Sequence, residues 1–68
     1  MKLATINVTN LSPGNLRALV EYLLQTGIDI CALQETKTQA KIIKCGDIVI
    51  VTNGKTPGVG FAVRTQHL

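Results

Sequence analysis

One stretch of the chain has helical periodicity and several have strand character, and that imbalance limits what it can fold into. Leu16, Leu19, Val20, Leu23 and Leu24 fall at i, i+3, i+4, i+7 and i+8. This is one apolar face of an amphipathic helix. Ser12 is a suitable N-cap, and Pro13 fits the first helical position, where its missing N–H is not needed. Gly27 is a natural C-cap. Arg17 and Glu21, four apart, can pair on the solvated side. Before the helix, Leu3 to Val8 alternates apolar and polar residues and reads as a strand. After it, Ile28 to Leu33 is nearly continuous in apolar residues, with only Asp29 charged. That pattern suits a strand covered on both faces. Strand, helix and strand make a βαβ unit, whose crossover is right-handed in about 98% of cases.

The second half adds strands and no helix. Thr36 to Gly46 is polar around Ile42 and Ile43 and reads as a loop, with room for a short strand or a helical turn. Asp47 to Thr52 is a third strand, rich in Val and Ile. Asn53-Gly54 and Pro57-Gly58 are close turn signals that together make a loop, and Val59 to Arg64 is a fourth strand paired hairpin-fashion with the third. The fold class is α/β, a βαβ start plus two further strands in one unit spanning residues 1–68. One helix cannot cover both faces of such a sheet. The expectation is an incomplete sandwich, completed by self-association or by a missing C-terminal part.

Composition narrows the class. The chain has 68 residues, 46% hydrophobic and 16% charged, which excludes a disordered tail. A domain this small buries only roughly 60% of the surface its unfolded chain exposes, so its stability is marginal. No apolar run is long enough to cross a membrane as a helix. The N-terminus is too short and too polar for a signal peptide, so an intracellular location, nucleus or cytoplasm, is expected. Cys31, inside an apolar run, reads as a buried free thiol. With Cys45 and a single histidine, the usual four-ligand zinc site cannot be built. That histidine, His67, reads as a surface residue. The formal charge of +3 comes from dispersed basic residues. It permits contact with phosphates without demanding it.

Two phosphate-loop look-alikes fail on context. Gly54-Lys55-Thr56 mimics the end of a Walker A loop, but position 49 is Val and the segment leads into Pro57 rather than a helix. Gly58-Val59-Gly60 lacks the third glycine and the following helix of a dinucleotide fingerprint. A more informative pair is Asn7 and Glu35. In a parallel βαβ unit, ligand sites lie off the carboxyl ends of the strands. Asn7 lies near the end of the first strand and Glu35 just past the end of the second. Neighbouring strands would bring an amide and a carboxylate to one rim. One carboxylate with waters is a usual hold for Mg²⁺, and the asparagine could orient a phosphate or a coordinated water. The alternative is a solvated Glu35 and an Asn7 bonded to local backbone.

These same residues carry a family resemblance. Leu3-Ala4-Thr5-Ile6-Asn7-Val8 resembles the opening strand of the endonuclease/exonuclease/phosphatase superfamily, a hydrophobic strand ending in Asn. Asp29-Ile30-Cys31-Ala32-Leu33-Gln34-Glu35-Thr36-Lys37 is similar to its second motif, with a Leu-Gln-Glu core. Gly58-Val59-Gly60-Phe61-Ala62-Val63 is similar to the glycine-bearing strand that follows. The wording is nearest to the apurinic-endonuclease-like members and to the endonuclease domains of non-long-terminal-repeat retrotransposons. Ile6 stands where many members have Trp or a similar aromatic. The resemblance covers nearly the whole chain and only the first part of the family domain.

The resemblance implies a Mg²⁺- or Mn²⁺-dependent hydrolysis of phosphate esters, with nucleic acid as partner and DNA as the expected substrate. Glu35 matches the family's metal-binding glutamate. Asn7 matches the active-site asparagine that helps position metal and scissile phosphate. Lys37 matches, more loosely, a basic residue beside the glutamate that contacts substrate. The family's catalytic histidine with its aspartate, and its Asp-x-Asn pair, lie in later motifs that these 68 residues do not contain. The expectation is an N-terminal portion of such an enzyme, inactive alone, holding metal weakly. The rival expectation is a non-catalytic remnant or small α/β interaction module.

Overall fold

In the computed structural model, which describes residues 1–68, strand β1 (Leu3–Asn7) leads into helix α1 (Pro13–Thr26) and strand β2 (Ile30–Gln34). Both helix signals act as their chemistry requires. Ser12 Oγ accepts from the Asn15 backbone N–H at 3.4 Å. Gly27 adopts the left-handed conformation at φ 71° and donates its N–H to the Leu23 carbonyl. Strands β3 (Ile42–Cys45), β4 (Ile48–Thr52) and β5 (Val59–Arg64) follow, then a 3₁₀ turn at Thr65–His67. The sheet order is β1-β2-β5-β4-β3, with β1 and β2 parallel and every other pair antiparallel. The architecture is thus α/β, a βαβ unit whose sheet is extended by three antiparallel strands.

Register sorts the strands' side chains into two faces. Ala4, Cys31, Ala62, Ile50 and Ile43 form one cross-strand row, and Ile6, Leu33, Gly60 and Thr52 the next. These rows lie under α1. Leu19 and Leu23 of the helix close over Ile28, Cys31, Leu33, Ile48, Ile50 and Ala62 to make the core. The other face has the rows Leu3–Ile30–Val63–Val49–Lys44, Thr5–Ala32–Phe61–Val51–Ile42 and, at the rim, Asn7–Gln34–Val59. Nothing in the chain covers it, and Phe61 is 54% exposed.

Several expectations need correction. The second strand is Ile30–Gln34, two residues later than its apolar run begins, because Asp29 N–H and Lys2 N–H bond across at the strand's entry. It is covered on one face only. Leu24 is 50% exposed. It is one residue, about 100° of helix rotation, from the deeply buried Leu23 and so faces away from the sheet. The loop after Thr36 contains the short edge strand β3, which pairs with β4. Arg17 and Glu21 form no ion pair; the side-chain charge contacts are Lys37 with Glu35 and the His67 ring with Asp29.

His67 is not an idle surface group. Its Nε2 lies 2.9 Å from Asp29 Oδ1, and the Lys2 backbone N–H donates to Asp29 Oδ2 at 2.7 Å. Beside them, Arg64 donates to the Ile28 carbonyl at 3.1 Å and the Leu23 carbonyl at 3.0 Å. The guanidinium supplies a positive charge at the helix C-terminus, where the helix itself has no basic residue. These contacts pin the end of the chain to the entry of β2.

Candidate functional site

The exit end of β1 and β2 gathers the polar groups singled out in the sequence. Asn7 and Gln34 are register partners, so the residues that follow them emerge side by side. Asn7 Nδ2 donates to Glu35 Oε2. Its Oδ1 accepts the Thr9 backbone N–H at 3.0 Å, turning the chain toward the helix. Lys37 Nζ lies 3.8 Å from Glu35 Oε1, both side chains 41% exposed. The structure therefore brings Asn7, Glu35 and Lys37 together at one rim.

The backbone at this rim is unusual. Thr9, Glu35 and Lys37 have φ of 65°, 55° and 45°, and they are the chain's three non-glycine residues with positive φ. Such conformations cost of order 1–3 kcal/mol each and persist where surrounding structure dictates them. Here the neighbours are identifiable. The Leu11 N–H donates to the Thr36 carbonyl at 3.0 Å, and the Lys37 N–H to the Pro57 carbonyl at 2.8 Å. Thr36 itself is fully buried between the two strained residues, and its hydroxyl has no hydrogen-bond partner.

Gly58 is the support that sequence reasoning undervalued. It has φ 86°, and a Cβ there would collide with the Lys55 carbonyl oxygen and Thr36 Oγ1. The loop from Asn53 to Gly58 can pack onto Thr36 only because this position lacks a side chain. The Pro57-Gly58 turn signal was legible, but its contact with residue 36 was not. Nor does a threonine in a polar stretch advertise complete burial.

The donor set is small. Glu35 offers one carboxylate and Lys37 a positive charge, while Asn7 turns its amide N–H to Glu35 and its Oδ1 to the Thr9 N–H rather than toward the carboxylate. No three His, Cys, Asp or Glu side chains come together anywhere in the chain. Mg²⁺ takes one or two carboxylates and keeps several waters. Glu35 fits that role for a loosely held ion; a dedicated cage is not built. The largest cavity, about 540 Å³, lies instead between the open edge of β1 and the helix, lined by Ile6, Val8, Ala18, Leu19 and Tyr22 among others.

No helix is long and apolar enough to cross a membrane. Compared with known proteins, the chain matches no family model, no curated protein and no solved structure.

Proposed function

We propose that the chain is the N-terminal part of a Mg²⁺-dependent phosphodiesterase acting on DNA, and that these 68 residues alone do not catalyse. The observation that carries this reading is the hydrogen bond between Asn7 and Glu35 at a rim where all three left-handed non-glycine residues collect. Bound there, Mg²⁺ would offset charge developing on the phosphate and the leaving oxygen. Glu35 would hold the ion and Asn7 would fix the carboxylate's orientation through its amide. Lys37 would add positive charge for a phosphate oxygen. A general base is missing at the rim. His67 is paired with Asp29 before β2 while Glu35 follows it, six residues on, which is about 20 Å along a strand.

The test is an NMR titration of the isotopically labelled chain with Mn²⁺. Broadening greatest at the Asn7 side-chain amide and the backbone of residues 7–9 and 35–37, decaying with distance from them and abolished in Glu35→Gln, is expected. Uniform broadening would overturn the metal site. Mg²⁺-dependent cleavage of abasic DNA by the chain, lost in Glu35→Ala, would overturn the statement that it is inactive alone.

A second reading, a non-catalytic α/β interaction module, is favoured by one observation: the uncovered apolar face of the sheet.

A further inference from the structure

We propose that this open face pairs with the same face of a second copy of the chain, sheet against sheet. The inference deepens the interaction-module reading and draws nothing from the metal site, although the row Asn7–Gln34–Val59 forms the rim of this same face. Five large apolar side chains on the face, Leu3, Ile42, Val51, Val59 and Phe61, are between 45% and 67% exposed. With their partly exposed neighbours they present roughly 600 Å² of apolar surface, taking aromatic and aliphatic side chains at their usual areas. A standard interface buries roughly 800 Å² per partner, somewhat over half of it apolar. The face therefore meets what a stable dimer needs.

The arrangement also favours self-pairing. β5 is the third of five strands in sheet order, so Phe61 stands at the middle of the face, between Ala32 and Val51. A two-fold axis there brings the two Phe61 rings together, the largest side chains on the face at the centre of the patch. The cross-strand row through Phe61 has no charged member; of the rows flanking it, one has only Lys44, on the edge strand, and the other, Asn7–Gln34–Val59, is polar at two positions and uncharged. The net charge of +3 is thus kept off the centre. A partner with charges aimed at this face would have to desolvate them without a counter-charge. Two twisted sheets pack about 10 Å apart with strands near −30°, which leaves both helices outermost.

Sedimentation equilibrium of the 68-residue chain is the test, with circular dichroism to establish that each variant is folded. The wild type is expected to be a dimer. Each substitution acts twice in a symmetric dimer, so Phe61→Lys should raise the dissociation constant roughly 100-fold or more. Ile42→Lys, at an already exposed margin of the face, should weaken pairing as well and decides the matter should Phe61→Lys fail to fold. Gln25→Lys, on the exposed side of the helix, adds the same charge and should change nothing. A folded wild type that remains monomeric at about 200 µM, a concentration at which micromolar pairing would be near complete, overturns the proposal. So does association that survives both face substitutions, which would assign it to the open edges of β1 and β3.

Discussion

The Asn7 side-chain amide donates to the Glu35 carboxylate across the parallel β1–β2 pair, joining residues 28 positions apart. Asn7→Asp removes the donor and sets a second negative charge beside the first. Stability should fall by about 1 kcal/mol or more in the absence of divalent ions. Millimolar Mg²⁺ should restore part of the loss, because a carboxylate pair binds the ion better than one carboxylate. Urea unfolding with and without Mg²⁺ measures both effects.

Gly58 and Lys37 both have positive φ, but substitution should act in opposite directions. Gly58→Ala places a Cβ against backbone and a buried hydroxyl, and should cost at least about 2 kcal/mol. Lys37→Gly relieves a left-handed conformation at φ 45° and gives up only an exposed ion pair. Its stability should equal the wild type's or exceed it by up to about 1 kcal/mol. Urea midpoints of the two variants check the contrast.

The two thiols should react at very different rates. Cys31 is fully buried and its burial pushes the thiol above its ordinary 9.0, so little thiolate forms near neutrality. Cys45 is only partly buried. An aromatic disulfide reagent at mildly alkaline pH should modify Cys45 promptly and Cys31 only as the chain unfolds. Two thiols modified at one fast rate would contradict the packing of the core.

Asp29 ties acid stability to the pinned chain end. The Lys2 backbone N–H, and then the His67 ring, hold its carboxyl below the ordinary 3.8. A depressed folded value gives stability that is complete above the unfolded value and lost as the pH falls through the folded one. The advantage of wild type over Asp29→Asn should therefore shrink between about pH 5 and about pH 2. Urea midpoints across that interval read it directly.

What could be read beforehand was local or pairwise along one βαβ unit. The Ser12–Pro13 start and the Gly27 stop depend on backbone chemistry within a few residues. The meeting of Asn7 and Glu35 needs only that two strands be parallel neighbours. The rest depends on distant packing. β3 hides in a lysine-rich stretch because an edge strand has little apolar surface to bury, and Ile42 and Lys44 point to the open face. Leu24 has the right spacing for a broad helix face, but a single helix crossing one sheet buries only a narrow stripe. The Asp29–His67 pair spans 38 positions with no periodic signal to connect them. Thr36 looked like any polar loop residue until Gly58 closed over it.

The strand order has a consequence for how the chain is made. β5 is the last strand of the sequence and the middle of the sheet. Until it emerges from the ribosome, β1 and β2 with their helix form one half, the β3–β4 hairpin the other, and no strand pairing links them. At about 5–20 residues per second, β5 takes about a second or less to synthesise. The core needs Ala62 beside both Cys31 and Ile50, so the two halves of the sheet are joined only once β5 is in place between them.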